Sequence, residues 1–184
     1  MPKPFFKVNH NKKLQEIIRV NHAGEFGAKV IYEGQIDYIK NAKDKDLLKH
    51  MLEQEQVHLK YFQEKIQLAE SRPTVVMPIW NILGYYIGAF SAKCGINAAM
   101  LVTKNIEEVI ENHYQEQIDY LRKKDHKNPL LKNIQKFKDD EVEHKNLAID
   151  FEKNNLNNAN LATKFFEHAL KTFCRLAILI SKKI

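Results

Sequence analysis

Glu55 and His58, and again Glu141 and His144, form two Glu-x-x-His pairs in a chain of 184 residues. On a helix this spacing sets a carboxylate and an imidazole on one face, about 4.5 Å apart along the axis, so both reach a single metal ion. One such pair on a solvated face carries little meaning, because the spacing recurs by chance. Here each pair interrupts an apolar seam. Leu48, Met51, Phe62 and Ile66 flank the first pair, and Leu130, Ile134, Phe137, Ala148 and Phe151 flank the second. A carboxylate placed in a core either neutralises or acquires a partner. A mixed carboxylate and imidazole set suits iron or manganese, whereas structural zinc favours Cys with His.

Two Glu-x-x-His helices make a two-metal bundle when two further helices each add one glutamate. Glu25 shares a face with Ile18 and Tyr32, beside Gly24, Gly27 and Ala28, small residues expected to permit close packing. Glu107 lies on a stripe with Met100, Thr103, Ile110 and Tyr114. Glu25 precedes Glu55 by 30 residues and Glu107 precedes Glu141 by 34, so the chain reads as two helical hairpins with equivalent ligands. The predicted metal ligands are therefore Glu25, Glu55, His58, Glu107, Glu141 and His144. Four carboxylates and two divalent cations cancel in charge; without cations the glutamates repel and take up protons.

Other polar residues divide by position. His113 and Tyr114 follow Glu107 by one to two turns, where they either support the cluster and relay protons and electrons or simply pack the core. Glu108 and Glu143 are rotated about 100° from a neighbouring ligand and are expected on the solvent side. His22 is expected to make a local hydrogen bond, and His10, His50, His126 and His168 to lie on the surface. Cys94 and Cys174, 80 residues apart, are expected as small buried or interfacial hydrophobes rather than ligands, in a reducing compartment.

The elements that must position these groups are helical throughout. Periodicity predicts helices over Leu14–Lys40, Lys45–Glu70, Ile79–Ala92, Ile96–Lys123, Pro129–Asn154 and Leu161–Lys182. Pro73 stops the second helix, Asp125 to Pro129 divides the fourth from the fifth, and an Asn-rich run at 154–160 forms a polar loop. The expectation is an all-α, ferritin-like four-helix bundle with two additional apolar, membrane-contacting helices, in one domain over residues 1–184. With 44% apolar and 28% charged residues the composition is that of an ordinary globular protein and argues against disorder. Its net charge of +6 by itself suits nucleic acid, an anionic membrane surface, or no charged partner at all. The segment 72–93 stands apart: between Arg72 and Lys93 no residue is charged, yet Pro73, Pro78, Asn81, Gly84 and Gly88 argue against a uniform spanning helix. A helix lying on or half-entering the membrane is expected there, with Trp80, Tyr85 and Tyr86 as interfacial aromatics. Phe165, Phe166, Leu170, Phe173, Leu176 and Ile180 are expected to add lipid contact from the last helix.

Arg19-Val-Asn-His-Ala-Gly-Glu25-Phe-Gly-Ala28, followed by Ile31-Tyr-Glu-Gly-Gln35, resembles the first-helix signature of the demethoxyubiquinone hydroxylases. Arg72-Pro-Thr-Val-Val-Met-Pro-Ile-Trp-Asn-Ile-Leu-Gly84 resembles their apolar linker, and Glu107-Glu-x5-Tyr-x2-Gln117 their fourth helix. The resemblance extends from about Ile17 to Lys182. It implies a di-iron monooxygenase that hydroxylates the ring of a demethoxyubiquinol with dioxygen, and the same six residues as ligands of two iron ions. It also places His113 and Tyr114 near the cluster. Asn21 stands where the family usually has Asp, Phe26 where Tyr is common, and Asn112 where a second His can precede His113; none is a ligand. The short N-terminus and the Lys- and Asn-rich composition lead to the expectation of a bacterial protein, peripheral on the cytoplasmic face of the inner membrane. Expected partners are the quinol, dioxygen and lipid but no nucleic acid; a homo-oligomer or a biosynthetic complex is left open. The alternative is a ferritin-type iron-binding or ferroxidase protein, against which the uncharged segment argues. A rubrerythrin-like peroxidase needs four cysteines where two exist, and a purely structural membrane-binding module would hold no metal.

Overall fold

Short polar loops set the helix boundaries. The Asn41 side chain accepts from the amides of Lys43 at 2.9 Å and Asp44 at 3.2 Å, satisfying two amide groups that open the next helix. Asn128 does the same further along, its Oδ1 accepting from Leu130 N at 3.0 Å. Gly95 has φ of 105°, a value that favours glycine, and it turns the chain between the third and fourth helices. The computed structural model describes residues 12–69, 71–154 and 161–183, and every regular element in them is a helix. These are α1 (Lys12–Tyr38), α2 (Ala42–Leu68), α3 (Met77–Lys93), α4 (Ile96–Lys124), α5 (Leu130–Asn154) and α6 (Leu161–Lys183). All six expected helices are present with ends shifted by a few residues. The expected end at Glu70, the loop at 155–160 and His10 lie outside the described residues.

The hairpins α1–α2 and α4–α5 form the four-helix bundle of a ferritin-like fold, and α3 and α6 pack outside it against α1 and α4. The core is layered around a polar centre. Ile17, Ile18, Phe62, Ile66, Tyr114, Ile118, Leu121, Leu130, Ile134 and Phe137 fill one end, and Tyr32, Ile39, Leu48, Met51, Met100 and Ala148 fill the other. Fully burying one such side chain contributes about 1.5–3 kcal/mol, enough in sum to hold an unfavourable polar cluster between the two layers.

Close packing by small residues occurs at Ala28, buried in the core, and at the Gly27 carbonyl, which lies 3.4 Å from where a Cβ on Gly84 would sit, but the tightest approaches are elsewhere. A Cβ on Gly88 would meet the Ile31 carbonyl, and one on Gly34 would meet the Tyr85 carbonyl, so these two glycines let α3 lie directly on α1. A Cβ on Gly24 or Gly27 would meet nothing within 4 Å, because both glycines line a cavity. α3 thus turns its small residues (Gly84, Gly88, Ala89, Ser91 and Ala92) inward and leaves Ile79, Ile82, Leu83, Tyr86 and Phe90 exposed. Trp80 is half-buried, its ring meeting Phe173 of α6 edge-on at 5.8 Å. Leu170 and Phe173 face inward as well, while Phe165, Phe166, Leu176 and Ile180 are exposed. No helix among the described residues is long and apolar enough to cross a membrane.

Candidate metal centre

Each of the four bundle helices carries its glutamate in the middle of a buried stripe, so the polar centre sits midway along the bundle. Glu25, Glu55, His58, Glu107, Glu141 and His144 are each no more than 1% exposed. Ligating atoms of Glu25, Glu55, His58 and Glu141 lie within 4.8 Å of one another, as do those of Glu55, Glu107, Glu141 and His144. Glu55 and Glu141 belong to both groups. The six residues therefore outline two adjacent positions with two shared carboxylates.

Both imidazoles present Nδ1 to this centre. His58 Nδ1 lies 3.4 Å from Glu25 Oε2 and 3.2 Å from Glu141 Oε1. His144 Nδ1 lies 3.3 Å from both Glu55 Oε1 and Glu141 Oε2. The opposite ring nitrogens point away, His58 Nε2 to Asp140 Oδ2 at 3.0 Å and His144 Nε2 to Gln54 Oε1 at 2.8 Å. Two tyrosines hold the outer glutamates across the bundle. Tyr114 of α4 donates to Glu25 Oε1 of α1, and Tyr32 of α1 donates to Glu107 Oε1 of α4 at 2.6 Å. Burial, then the neighbouring carboxylates, push both phenols well above their ordinary pKa, which keeps them as donors. Further ties flank the cluster: Asn21 and Gln117 bond reciprocally at 2.8 and 2.6 Å, and Gln35 donates to the Ala99 carbonyl at 3.1 Å.

Buried polar atoms in folded proteins nearly always have partners. Here both Nδ1 atoms, both oxygens of Glu55 and of Glu141, and Oε2 of Glu25 and Glu107 are buried without a hydrogen-bond partner. All of these atoms belong to the two convergent groups. Two divalent cations would satisfy them together, and an oxygen-rich set with one imidazole per position fits iron or manganese. Protonation tells the same story. Burial, reinforced by Glu141, pushes Glu55 and Glu107 well above the carboxylate range. Burial acts the other way on His58, but the close Glu141 and Glu25 carboxylates prevail and carry it to about 12, and His144 is raised in the same manner by Glu141 and Glu107. Burial also works against Glu141, yet the two imidazoles hold it down at about 2. The metal-free cluster thus retains protons that entering cations displace.

The remaining expected residues are spread more widely. His113 does not reach the six; its Nδ1 is 3.6 Å from Glu116 Oε2 and it lines a recess with Arg175 and Lys182. Burial first, then Lys182, lowers its pKa to about 4. His22 is buried with Nδ1 unpartnered, contrary to the expected local bond. Glu108 pairs with Lys171 at 2.8 Å, Glu143 is exposed, and so are His50, His126 and His168. Cys94 is exposed, not buried, and Cys174 is half-buried. Tyr32, Gln54 and Asp140 were not singled out by the sequence. Each had a signal: Tyr32 follows Glu25 by two turns on the same face, and Gln54 and Asp140 immediately precede the Glu of each Glu-x-x-His.

Beside the cluster, α1, α3, α4 and α6 enclose an apolar cavity of about 90 Å³ lined by Gly24, Gly27, Ile106, Ile110, Phe173 and Cys174, among others. Burial pushes the Cys174 thiol to about 12 and the Glu107 carboxylate adds to the rise, which sets this cavity wall near one outer ligand.

The sequence that builds this centre has known relatives. Residues 12–181 match the family described as Ubiquinone biosynthesis protein COQ7. The chain belongs to the COQ7 family. A protein of Dictyostelium discoideum named "NADPH-dependent 3-demethoxyubiquinone 3-hydroxylase, mitochondrial" is 39% identical over 174 residues, covering 93% of this chain and 77% of that protein. The Homo sapiens protein of the same name is 38% identical over 175 residues, covering 93% and 78%. A protein of Rhodospirillum rubrum named "3-demethoxyubiquinol 3-hydroxylase" is 36% identical over 174 residues, covering 93% and 78%. COQ7 membership agrees with the fold and with the resemblance carried by the first-helix, linker and fourth-helix motifs.

Proposed function

We propose that this chain is a monooxygenase that hydroxylates the ring of a demethoxyubiquinol in ubiquinone biosynthesis, acting as one domain with two iron ions. Glu25, Glu55, His58 and Glu141 would hold one ion, and Glu55, Glu107, Glu141 and His144 the other. The convergence of eight buried, partnerless ligand atoms carries this reading. When bound, such a pair supplies reductive activation of dioxygen, with one atom going to the ring and the other leaving as water, at the cost of two electrons from a reductant. NADPH fills that last role in the names of two of the relatives.

The chain's own residues do the rest. Tyr32 and Tyr114 each hold one oxygen of an outer glutamate, so that Glu25 turns its other oxygen, Oε2, to His58 at 3.4 Å and Glu107 keeps its tyrosine-bonded Oε1 4.0 Å from His144 Nδ1. The apolar layers at both ends exclude bulk water from the cluster. The cavity bordered by Gly24 and Gly27 admits a flat ring because neither residue has a side chain to fill it. An isoprenoid tail would leave between α3 and α6, whose exposed faces include Ile82, Tyr86, Phe90, Phe165 and Leu176. Those faces and the net charge of +6 support a peripheral position on an anionic membrane, in a bacterium the cytoplasmic face of the inner membrane.

The test is product analysis: iron-loaded protein, given a demethoxyubiquinol, a reductant and oxygen, should yield a quinol heavier by one oxygen atom, labelled from ¹⁸O₂. Absence of that product from fully iron-loaded protein would refute the hydroxylase reading. The ferroxidase alternative is not favoured, because the relatives named here are hydroxylases.

A further inference from the structure

The two hairpins place equivalent groups around the cluster. Tyr32 stands seven residues after Glu25 and Tyr114 seven after Glu107, and each bonds the glutamate of the other hairpin. Gln54 and Asp140 are also equivalent, each directly preceding a Glu-x-x-His and each bonding the histidine of the opposite helix. Here the equivalence breaks. One partner is an amide and the other a carboxylate.

From this we propose that Asp140 is a positioning residue that makes the two metal positions unequal, the one held by His58 binding its ion more tightly than the one held by His144. The inference rests on the two-metal reading above. An imidazole that ligates through Nδ1 must carry its hydrogen on Nε2, so His58 donates to a carboxylate and His144 to the Gln54 amide oxygen. A charge-assisted bond is the stronger and pushes electron density toward the ligating nitrogen. Ring orientation follows the same division. Phe137 lies against the His58 ring at 4.1 Å and a tilt of 35°, which limits its rotation, whereas Tyr32 meets the His144 ring edge-on at the longer distance of 6.1 Å.

The experiment is anaerobic titration of the metal-free full chain with Mn²⁺, followed by electron paramagnetic resonance. The wild type should show an isolated-ion spectrum up to one equivalent and a coupled-pair spectrum only with the second. Asp140→Asn should weaken the first step by about 10–100-fold, so that coupled pairs appear from the start. Gln54→Glu should strengthen the second step and bring the steps together from the other side. The double variant Gln54→Glu/Asp140→Asn should restore the separation. Steps that are unseparated in the wild type, or single variants that shift both steps alike, overturn the proposal while leaving the two-metal reading intact. No binding of Mn²⁺ or Fe²⁺ at all would sink that reading as well. If Asp140→Asn fails to fold, Gln54→Glu alone decides, because a purely structural role predicts no tightening.

Discussion

Tyr32 Oη of α1 lies 2.6 Å from Glu107 Oε1 of α4, linking the first helix of one hairpin to the first helix of the other at the level of the cluster. Tyr32→Phe removes the donor and leaves a carboxylate oxygen buried without a partner. The expected cost is about 1–3 kcal/mol in the metal-free protein, read from urea unfolding. Metal affinity should fall about tenfold in isothermal titration, since the outer ligand is no longer held. An unchanged affinity would show that Glu107 is positioned by packing alone.

Glu55 belongs to both ligand groups, so Glu55→Gln should reduce bound iron below two per chain by elemental analysis. In the absence of metal the same change should raise the melting temperature, because it removes a buried acid that folding must hold protonated against its ordinary tendency to ionise. Loss of metal together with a less stable metal-free protein would contradict that account.

The pH response has a definite sign. Folded-state pKa values of Glu55 and Glu107 are raised, so stability from their neutral forms is complete below about 4.5 and is lost as pH rises. His58 is raised from 6.5 to about 12, so its contribution is complete below 6.5 and is lost as pH climbs toward 12. Glu141, depressed to about 2, acts oppositely but only below its unfolded value of 4.5. His113, lowered to about 4, also acts oppositely up to its ordinary value of 6.5, so between pH 6.5 and 9 the metal-free protein should melt at progressively lower temperature. Metal affinity should rise over the same interval with release of protons, measurable by titration in two buffers of different ionisation enthalpy.

Gly88 meets the Ile31 carbonyl directly, so Gly88→Ala must push α3 away from α1. A loss of about 1–3 kcal/mol in urea unfolding is expected. At Gly24, where a Cβ meets nothing within 4 Å, alanine should cost far less stability and instead narrow the cavity. A higher KM for the quinol, at normal iron content, is the readout.

The exposed rings of Phe90 and Phe165 test the lipid-facing surface. If each buries its ring in a bilayer, Phe90→Glu and Phe165→Glu should each lower binding to phosphatidylglycerol vesicles about tenfold or more in co-flotation. Equal flotation of both variants and wild type would remove the membrane from the proposal.

Much of this arrangement was legible in the sequence because its signals are periodic. Six helices and the stripes bearing Glu25, Glu55, Glu107 and Glu141 follow from 3.6-residue spacing, and the two Glu-x-x-His pairs fixed which faces converge. Contacts between helices were less accessible. Gly24 and Gly27 looked like packing residues, but whether a glycine faces a helix or a void depends on its neighbour across the gap. Trp80 looked interfacial by composition, but its edge-on contact with Phe173, far away in sequence, had no local signal. Gln54 and Asp140 each directly precede a Glu-x-x-His, but that place alone does not say whether a polar side chain turns to solvent or to the histidine of the opposite helix.

Because each hairpin supplies the tyrosine, and the partner for the imidazole, that the other lacks, neither half is a finished object. A nascent chain that has produced only α1 and α2 carries Glu25, Glu55 and His58 on a seam with nothing to cover it, and Tyr114, Asp140 and Glu141 have yet to be translated. Closure must wait for most of α5, so the protein should fold in a single late step rather than helix pair by helix pair. Iron met before that step would find three donors and open water instead of a cage.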